Sequence, residues 1–542
     1  MVMKSVTEMK FGGPASLLHL MTVFFLLSCL SPDLCAHADP VRKVDSRDSA
    51  YFQVKPATDV TLPRQIHIAF GIEPTDMTIL WATEMPDQSI VQYYPQNQPG
   101  STATVDGKSV TFDNNTDGWK HLHRVAIHDL TPGILYFYSV GGGIQSLRSK
   151  FFSFRVPFKY EPHTYMVFGD LGTRSANLQF LVHESRARNY SAIFHVGDIA
   201  YDLGRDGGKV GDKFLNLIQL MSANTPYMTV PGDHDLFQDD QYRYRFSNPN
   251  ADWPMQMDQL WYSIDMGKTH FVCISTEIFF TDKGNEERFM KWLQHDLTKA
   301  NDNRSNFPWV VVMAHRPMYC SVDDTREDCR KPDSVVRQSL ESVYSQFGVD
   351  VVFSGHNHMY ERTWPTYQNK AVALNYINPL APVHIIVGSL GNQYLTEYIS
   401  KSGGGWSAFT KSAMEMEIYG RLTVYNYTHL NWEARSAMDN SLVDKMLIIQ
   451  RVHGPFLNPQ VNIPDPLGEA GKAWRNKNGA TEDDGSLINL NFFVVYDDYN
   501  TRVTVLCFTS IILLIGVCLR KKIINFLRFC CLKNDKCNNN IT

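Results

Sequence analysis

The stretch Tyr165-Met166-Val167-Phe168-Gly169-Asp170 is an apolar β run that ends on a small residue and then an acid. Similar runs come before Asp198, Asp233, His315 and His356. In an open α/β sheet, ligands bind beyond the carboxyl ends of the strands, so such ends can bring their side chains into one crevice. A single acid or histidine after a strand is usually a helix cap or a loop residue, but five in order are hard to explain as caps.

The residues at these strand ends form a set of metal-binding side chains without cysteine. Carboxylates, imidazoles and a phenol suit one hard, highly charged ion beside a borderline divalent ion, rather than a thiolate zinc site. Asp198, at the centre of the set, would bridge the two ions at a separation of about 3.5–4 Å, which suits in-line phosphoryl displacement. The expected ligands are Asp170, Asp198, Tyr201, Asp233, His315, His356 and His358.

Composition limits the remaining possibilities. The chain has 542 residues, of which 44% are hydrophobic and 20% charged, so two or three globular domains are expected. The net charge of -5 provides no basic field that would gather nucleic-acid phosphates. A nucleic-acid partner is therefore not expected.

Two domains are predicted before residue 457. Residues 39–157 carry short β runs separated by turns, typical of an all-β sandwich. The segment Leu130–Tyr136 resembles the corner of fibronectin type III domains, where a tyrosine bonds back to the main chain. Residues 158–456 alternate β runs with helical stretches at 176–187, 212–221 and 286–298, the pattern of a layered α/β domain whose C-terminal part covers about 380–456. The β runs of the first domain are 65–70, 77–81, 89–94, 124–127, 134–140 and 151–156.

The beginning of the chain resembles a targeting segment. Lys4 and Lys10 precede the apolar residues 17–30, and Ala36-His37-Ala38 offers small residues for cleavage. Residues 1–38 are therefore predicted to be a removed signal peptide, with a signal anchor or a buried helix as the alternatives.

A second apolar segment lies near the other end. Residues 503–519 are uncharged and are followed by Arg520-Lys521-Lys522, an arrangement whose positive side stays in the cytoplasm. We predict a stalk at 457–500, a transmembrane helix at 501–520 and a cytoplasmic tail at 521–542, although a core helix would look similar. The protein would then be a single-pass type I membrane protein of the cell surface, with its catalytic domain extracellular or lumenal.

Cysteines and sequons agree with export. Cys320 and Cys329 are nine positions apart in a polar loop and could close a local disulfide, whereas Cys273 lies in an apolar run and is predicted to be a buried thiol. N-glycosylation sequons begin at Asn114, Asn189, Asn303 and Asn426.

Five motifs resemble, in order, the signature blocks of the purple acid phosphatases within the metallophosphoesterase superfamily: GDLG at 169–172, GDIAY at 197–201, GDHD at 232–235, VMAH at 312–315 and GHNH at 355–358. The likeness covers about residues 60–455 and is similar to the longer plant-type and animal type 7-like members. It implies a metallophosphoesterase sandwich of mixed β-sheets flanked by helices, behind the fibronectin type III-like domain.

The resemblance also implies roles for the site residues. A ferric ion would be held by Asp170, Asp198, Tyr201 and His358, and a second ion, Zn²⁺, Fe²⁺ or Mn²⁺, by Asp198, Asp233, His315 and His356. The ions would lower the pKa of a bound water and supply hydroxide, while His234 would stabilise or protonate the leaving alkoxide. The implied function is an acid phosphatase that hydrolyses phosphomonoesters of small molecules or proteins.

Two departures from the family pattern keep alternatives open. Asp233 stands where the family has Asn, which adds a negative charge and predicts lower activity or altered metal preference. The loop after His315 lacks the histidines that clamp phosphate in the plant enzymes, and Arg316, Arg326 or Arg330 could substitute. The alternatives are a phosphodiesterase or nucleotide pyrophosphatase of the same superfamily, and a weakly active or inactive surface receptor or adhesion ectodomain.

Overall fold

The computed structural model describes the two predicted domains but neither end of the chain. The described residues are 62–112, 121–143, 146–160, 162–187, 190–236, 241–281, 284–391, 398–400 and 404–456. The predicted signal peptide, stalk, membrane helix and tail lie outside them, as do Asn114 and Asn189. Within these ranges no helix is both long enough and apolar enough to cross a membrane.

Strands dominate the described part of the chain. In chain order they are β1 (Arg64–Phe70), β2 (Met77–Thr83), β3 (Ile90–Pro95), β4 (Ala103–Asp106), β5 (Lys108–Thr111), β6 (His121–Ile127), β7 (Leu135–Gly141), β8 (Phe152–Arg155), β9 (His163–Phe168), β10 (Ala192–Val196), β11 (Tyr227–Val230), β12 (Tyr262–Met266), β13 (Thr269–Cys273), β14 (Trp309–Met313), β15 (Val351–Ser354), β16 (Met359–Thr363), β17 (Thr366–Tyr367), β18 (Lys370–Ala371), β19 (Val383–Val387), β20 (Ser407–Ser412), β21 (Ile418–Val424), β22 (His429–Ser436) and β23 (Leu442–Ile449).

The described helices all follow the first domain. They are α1 (Leu178–Ala187), α2 (Lys209–Ser222), α3 (Gln241–Arg245), α4 (Glu286–Asp302) and α5 (Val335–Phe347), with 3-10 turns at Met257–Gln259, Thr276–Phe279 and Asp328–Arg330. The three predicted helical stretches correspond to α1, α2 and α4. Helices α3 and α5 were not predicted, although Ser334 caps the start of α5 by accepting from Arg337 N and Gly348 ends that helix with a φ of 64°.

The first domain is a sandwich of two antiparallel sheets. Their strand orders are β1-β2-β6-β5 and β4-β3-β7-β8. The amide of Thr131 donates to the hydroxyl of Tyr136 at 3.1 Å, which confirms the predicted tyrosine corner. The sequence did not reveal β4 and β5, because both are only four residues long and neither contains a fully buried residue, so their apolar pattern is too short to recognise.

The second domain packs two mixed sheets face to face. One has the order β11-β10-β9-β21-β22-β23 and the other β12-β13-β14-β15-β19-β16-β20. Aromatic side chains from both sheets meet between them, with ring centroids 4.6 Å apart for Phe194 and Phe271 and 4.8 Å apart for Phe353 and Trp432. Helices α1 and α2 cover the first sheet and α4 and α5 the second, each through its buried apolar face. The predicted sandwich of mixed sheets flanked by helices is confirmed.

Buried polar contacts join the two domains. Arg245 Nη1 donates to Asp212 Oδ1 at 2.8 Å, and Gln65 Nε2 on β1 donates to the same oxygen at 3.0 Å. The hydroxyl of Tyr138 on β7 donates to the carbonyl of Ala223 at 2.7 Å. These groups are shielded from water, so losing one partner would leave a buried polar group unpaired and would destabilise the protein. The contacts therefore fix the position of α2 against the first domain.

A buried histidine links the second sheet to its covering helix. His270 Nδ1 lies 2.7 Å from Asp265 Oδ1 on β12, and its Nε2 lies 3.0 Å from Asp296 Oδ2 on α4. Burial alone would lower the pKa of His270, but the two carboxylates outweigh it and raise the pKa to about 9.

This contact predicts a pH-dependent contribution to stability. Because the folded pKa of His270 lies above the unfolded value of 6.5, its stabilisation is fully present below that value and is lost as pH rises through about 9. We expect His270→Gln to lower the free energy of unfolding by on the order of 3 kcal/mol near pH 6 and by much less near pH 10. Denaturant unfolding at both pH values checks this, with exposed His128→Gln as the control; equal losses for His270→Gln at both would contradict it.

Candidate metal centre

The carboxyl ends of strands from both sheets meet at one edge of the sandwich. Parallel strands β9, β10 and β11 lead to Asp170, Asp198 and Asp233, respectively. Parallel strands β14 and β15 of the facing sheet lead to His315 and His356. The first sheet therefore supplies the acids and the second sheet the histidines of one site.

Two glycines allow these strand ends to approach each other. A Cβ placed on Gly232 would lie 2.3 Å from Asp198 Oδ1, and one on Gly355 would lie 2.4 Å from Asp170 Oδ2. Both distances are far shorter than a van der Waals contact, so a larger residue at either position would displace a carboxylate. The glycines before Asp233 and His356 are thus required by close backbone approach.

Several site residues have a left-handed backbone. The φ angles are 59° for Asp170, 51° for Asp198, 56° for Tyr201 and 67° for His356. For residues other than glycine this conformation costs about 1–2 kcal/mol each. Its concentration at the strand ends indicates that the surrounding fold imposes it, as is common at functional sites.

Four of the predicted ligands form a compact cluster. Asp198, Asp233, His315 and His356 each offer one ligand atom, and these atoms all lie within 4.8 Å of one another. His315 Nε2 is 3.2 Å from Asp198 Oδ1 and 3.1 Å from Asp233 Oδ1, and His356 Nδ1 is 3.1 Å from Asp233 Oδ1. These four are the residues that the family resemblance assigns to the second ion.

The other predicted ligands gather beside this cluster. The hydroxyl of Tyr201 lies 2.6 Å from His358 Nε2 and 3.3 Å from Asp170 Oδ1. His358 Nε2 lies 3.7 Å from the same Asp170 oxygen. The negative charge of Asp198 contributes to raising the pKa of Asp170. Asp198 therefore interacts electrostatically with this second set of residues as well as belonging to the four-residue cluster.

The electrostatics of the cluster fit cations. Burial raises the pKa of Asp170 and of Asp198, because a carboxylate enclosed by protein loses its hydration. For Asp233, burial also acts upward, but hydrogen bonds to His315 and His356 outweigh it and hold the pKa well below its usual range. Buried carboxylates with imidazole and phenol neighbours are costly alone and are stabilised by metal ions, so the donor set fits two of them.

The predicted catalytic residue borders the same site. His234 Nδ1 lies 3.0 Å from Asp202 Oδ1, and the ring of His234 contacts that of Tyr201 edge-on at 4.9 Å. Burial opposes its protonation, but Asp198 and the neighbouring acids outweigh this and raise its pKa. His234 lines a cavity of about 550 Å³ with Asp202, Asp233, Leu236, Glu277, Phe280, Thr281 and Arg316.

The three arginines named as substitutes for the phosphate clamp occupy different places. Arg316 lines the cavity, where its Nε and Nη2 donate to the two oxygens of buried Glu277 at 2.8 and 3.0 Å. Arg326 is 90% exposed and pairs with Asp324, and Arg330 is directed at the carbonyl of Cys320. Of the three, Arg316 is therefore the one that lines the cavity.

Sequence reasoning missed several polar residues around the site. Asp235 accepts from the amides of Gly232 at 2.9 Å and Ile199 at 3.0 Å, and burial raises its pKa to about 7. Asp202 and Glu277 act through their partners His234 and Arg316. Asp235 and Asp202 sit next to recognisable motifs, but no periodic pattern distinguishes an acid that faces a site from one that faces water.

The cysteine predictions are confirmed. Cys320 and Cys329 form a disulfide with their Cα atoms 5.5 Å apart. Cys273 is a buried free thiol on β13, and burial raises its pKa to about 12. Of the two sequon asparagines within the described residues, Asn426 is exposed between β21 and β22, and Asn303 is half-buried at the end of α4.

Comparison with known proteins agrees with this geometry. Residues 63–156 match the family model of the purple acid phosphatase N-terminal domain, 163–360 that of the calcineurin-like phosphoesterases, and 381–445 that of the iron/zinc purple acid phosphatase-like protein C. Acid phosphatase type 7 from Homo sapiens is 36% identical over 418 residues, which cover 72% of this chain and 92% of that protein. The chain belongs to the purple acid phosphatase family.

Other family members extend the comparison. Fe(3+)-Zn(2+) purple acid phosphatase 12 from Arabidopsis thaliana is 28% identical over 438 residues, 74% of this chain and 87% of that protein. The structure of purple acid phosphatase PPD1 from yellow lupin aligns with a TM-score of 0.62 at 22% identity, over 72% of this chain and 75% of that chain. At the level of the family, the comparisons confirm the predicted fold, phosphoester hydrolase class and iron-plus-divalent-metal cofactor.

Metal analysis of variants tests the shared role of Asp198. We expect the full-length Asp198→Ala protein to retain neither ion, because the family resemblance assigns this carboxylate to both groups of ligands. His315→Ala should lose the divalent ion and keep iron, since His315 belongs to the four-residue cluster that the resemblance assigns to the divalent ion. Elemental analysis per chain measures both, with exposed Asp206→Ala as the control, and an Asp198→Ala protein that keeps two ions would show that Asp198 is not the bridge.

Proposed function

We propose that this purple acid phosphatase-like protein hydrolyses phosphomonoesters at a dinuclear metal site. The single observation that carries the proposal is the gathering of ligand atoms from Asp198, Asp233, His315 and His356 within 4.8 Å. Fe³⁺ would be held by Asp170, Asp198, Tyr201 and His358, and a divalent ion by the four-residue cluster. When bound, the ions neutralise phosphate oxygens and lower the pKa of water.

The protein's own groups would complete the reaction. His234 would act as the acid for the leaving alkoxide, a role supported by its position in the lining of the cavity beside the cluster. Its Nδ1 is bound to Asp202, so Nε2 is the nitrogen that would pass the proton. The edge-on contact with Tyr201 fixes the plane of the imidazole ring.

The cavity would also position the substrate. Arg316 carries a positive charge on the wall formed by Glu277 and Phe280, and the face of Phe280 lies 4.5 Å from its guanidinium. A volume of about 550 Å³ is in the range of small-molecule sites. Such a site would accept a small phosphomonoester or a phosphorylated side chain of a protein.

We further propose that the catalytic domain faces the outside of the cell or a lumen. The Cys320–Cys329 disulfide supports this, because such bonds persist in oxidising compartments. The sequence patterns at 1–38 and 501–520 are consistent with export and a single membrane anchor. The sequons at Asn114, Asn189, Asn303 and Asn426 would carry glycans there.

Turnover of two model substrates tests the reaction class. We expect the full-length protein to hydrolyse 4-nitrophenyl phosphate in preference to its bis-ester at acidic pH. His234→Ala should lower the monoester rate by about 10²–10⁴-fold without loss of metal, since it removes the acid and no ligand. His128→Ala, on the surface of the first domain, is the matched control and should leave the rate unchanged.

The other functions predict different results in the same assay. Preference for the bis-ester would indicate a phosphodiesterase. Two bound ions without hydrolysis of either ester across acidic pH would indicate a receptor or adhesion role and contradict the phosphatase proposal.

The negative charge of Asp233 predicts how its removal would change monoester turnover. Asp233 Oδ1 lies 3.1 Å from ring nitrogens of both His315 and His356, so it is beside the proposed divalent ion. Asp233→Asn removes one negative charge there and should raise monoester turnover by a few-fold, because less charge opposes the phosphate. Exposed Asp206→Asn is the control for loss of charge, and a rate for Asp233→Asn that is equal or lower would refute the charge argument.

A further inference from the structure

The loop that follows His315 is anchored at both ends. At its start, the backbone amide and the hydroxyl of Ser321 each donate to buried Glu361 on β16 at 2.7 Å. The disulfide between Cys320 and Cys329 closes the loop. These contacts restrict where the residues between the two cysteines can lie.

The end of the loop is fixed by the helix that comes next. Asp328 accepts from the hydroxyl of Ser334 at 2.7 Å and from the amide of Val335 at 2.9 Å, at the first turn of α5. Glu327 therefore lies next to two anchored residues, Asp328 and Cys329. Its position depends on the fold and not on its own side chain.

The loop brings Glu327 to a predicted metal ligand. Glu327 Oε2 lies 3.2 Å from His356 Nε2. Arg316 Nη1 lies 3.0 Å from the same nitrogen, and the other ring nitrogen, Nδ1, lies 3.1 Å from Asp233 Oδ1. His356 thus has the ligand cluster on one side of its ring and two oppositely charged groups on the other.

The two groups at Nε2 demand opposite tautomers. A guanidinium can only donate a hydrogen bond and a carboxylate can only accept one. If Nε2 accepts from Arg316, the single proton of a neutral imidazole is on Nδ1 and points at Asp233. If Nε2 donates to Glu327, the lone pair of Nδ1 faces the cluster, which is the form that can bind a metal ion.

The contacts of Arg316 favour the second arrangement. Its Nε and Nη2 donate to Glu277 and its guanidinium stacks on Phe280, so Arg316 is held in place without a bond to His356. The positive charge of Arg316 also acts on the Glu327 carboxylate, so Nη1 has a charged acceptor beside the imidazole nitrogen. Glu327, by contrast, directs its carboxylate at His356. If Nε2 accepted from Arg316 instead, the ring proton would be on Nδ1, and Nδ1 could not bind a metal ion.

We propose that Glu327 is a positioning residue that accepts the Nε2 proton of His356 and so presents Nδ1 to the second ion. The proposal rests on the dinuclear site proposed above. It assigns to the disulfide-closed loop a role in holding the divalent ion, at the place where the plant enzymes have their phosphate-clamping histidines.

Zinc affinity tests the proposal. Full-length protein loaded with Fe³⁺ is titrated with Zn²⁺ in competition with a chelator, while the visible absorption band of Tyr201 with iron reports on the first site and on the integrity of the fold. Glu327→Ala should weaken Zn²⁺ binding by about 10- to 100-fold and leave the band unchanged. Glu327→Gln keeps an acceptor and should bind within a few-fold of the unaltered protein.

The matched control is Asp324→Ala, which removes the same charge from the same loop but from a residue that pairs with Arg326. Its zinc affinity should not change. The proposal is overturned if Glu327→Ala binds zinc normally, if Glu327→Gln is as weak as Glu327→Ala, or if Asp324→Ala is equally weak. Failure of the unaltered protein to take up zinc beside iron would instead overturn the dinuclear site itself.

Discussion

Burial of the Asp170 and Asp198 carboxylates is the constraint on which the rest of the structure depends. Both lie at strand ends enclosed by protein, where burial raises their pKa. Ionised carboxylates in such a place are stable only with compensating positive charge and hydrogen bonds. The left-handed backbone at both residues and the small size of Gly232 and Gly355 serve to hold them close in spite of that cost.

The packing of the two sheets brings these carboxylates together with the histidines. One sheet supplies acids and the other supplies histidines, so neither sheet holds the complete ligand set. Rings such as Phe194 and Phe271 interlock between the sheets and fix their relative position. Because close-packed interiors yield little, the ligand atoms are held in place by the core of the domain rather than by mobile loops. Metal binding and domain stability should consequently be coupled.

The walls of the cavity beside the cluster carry charged side chains that are held by buried or half-buried partners. Arg316 is tied to Glu277 on one side of the cavity, and His234 is tied to Asp202 on the other. Because one fold can carry different functions through the residues of its site, we expect substrate preference to depend on the walls of the cavity rather than on the sheets. Asp233 brings a further negative charge to the cluster, beside His315 and His356.

The sequence by itself determined the candidate ligands, their order and the two-domain plan, because a strand that ends on a small residue followed by an acid or a histidine is a local pattern. It missed β4 and β5, which are four residues long and contain no fully buried residue, so their pattern is too short to recognise. Only the tertiary structure decided that Arg316 reaches Glu277 and that Glu327 reaches His356. Those partners lie about 30–40 positions apart on different elements, so their contact depends on how sheets and loops pack, and side-chain packing is not written in any local pattern.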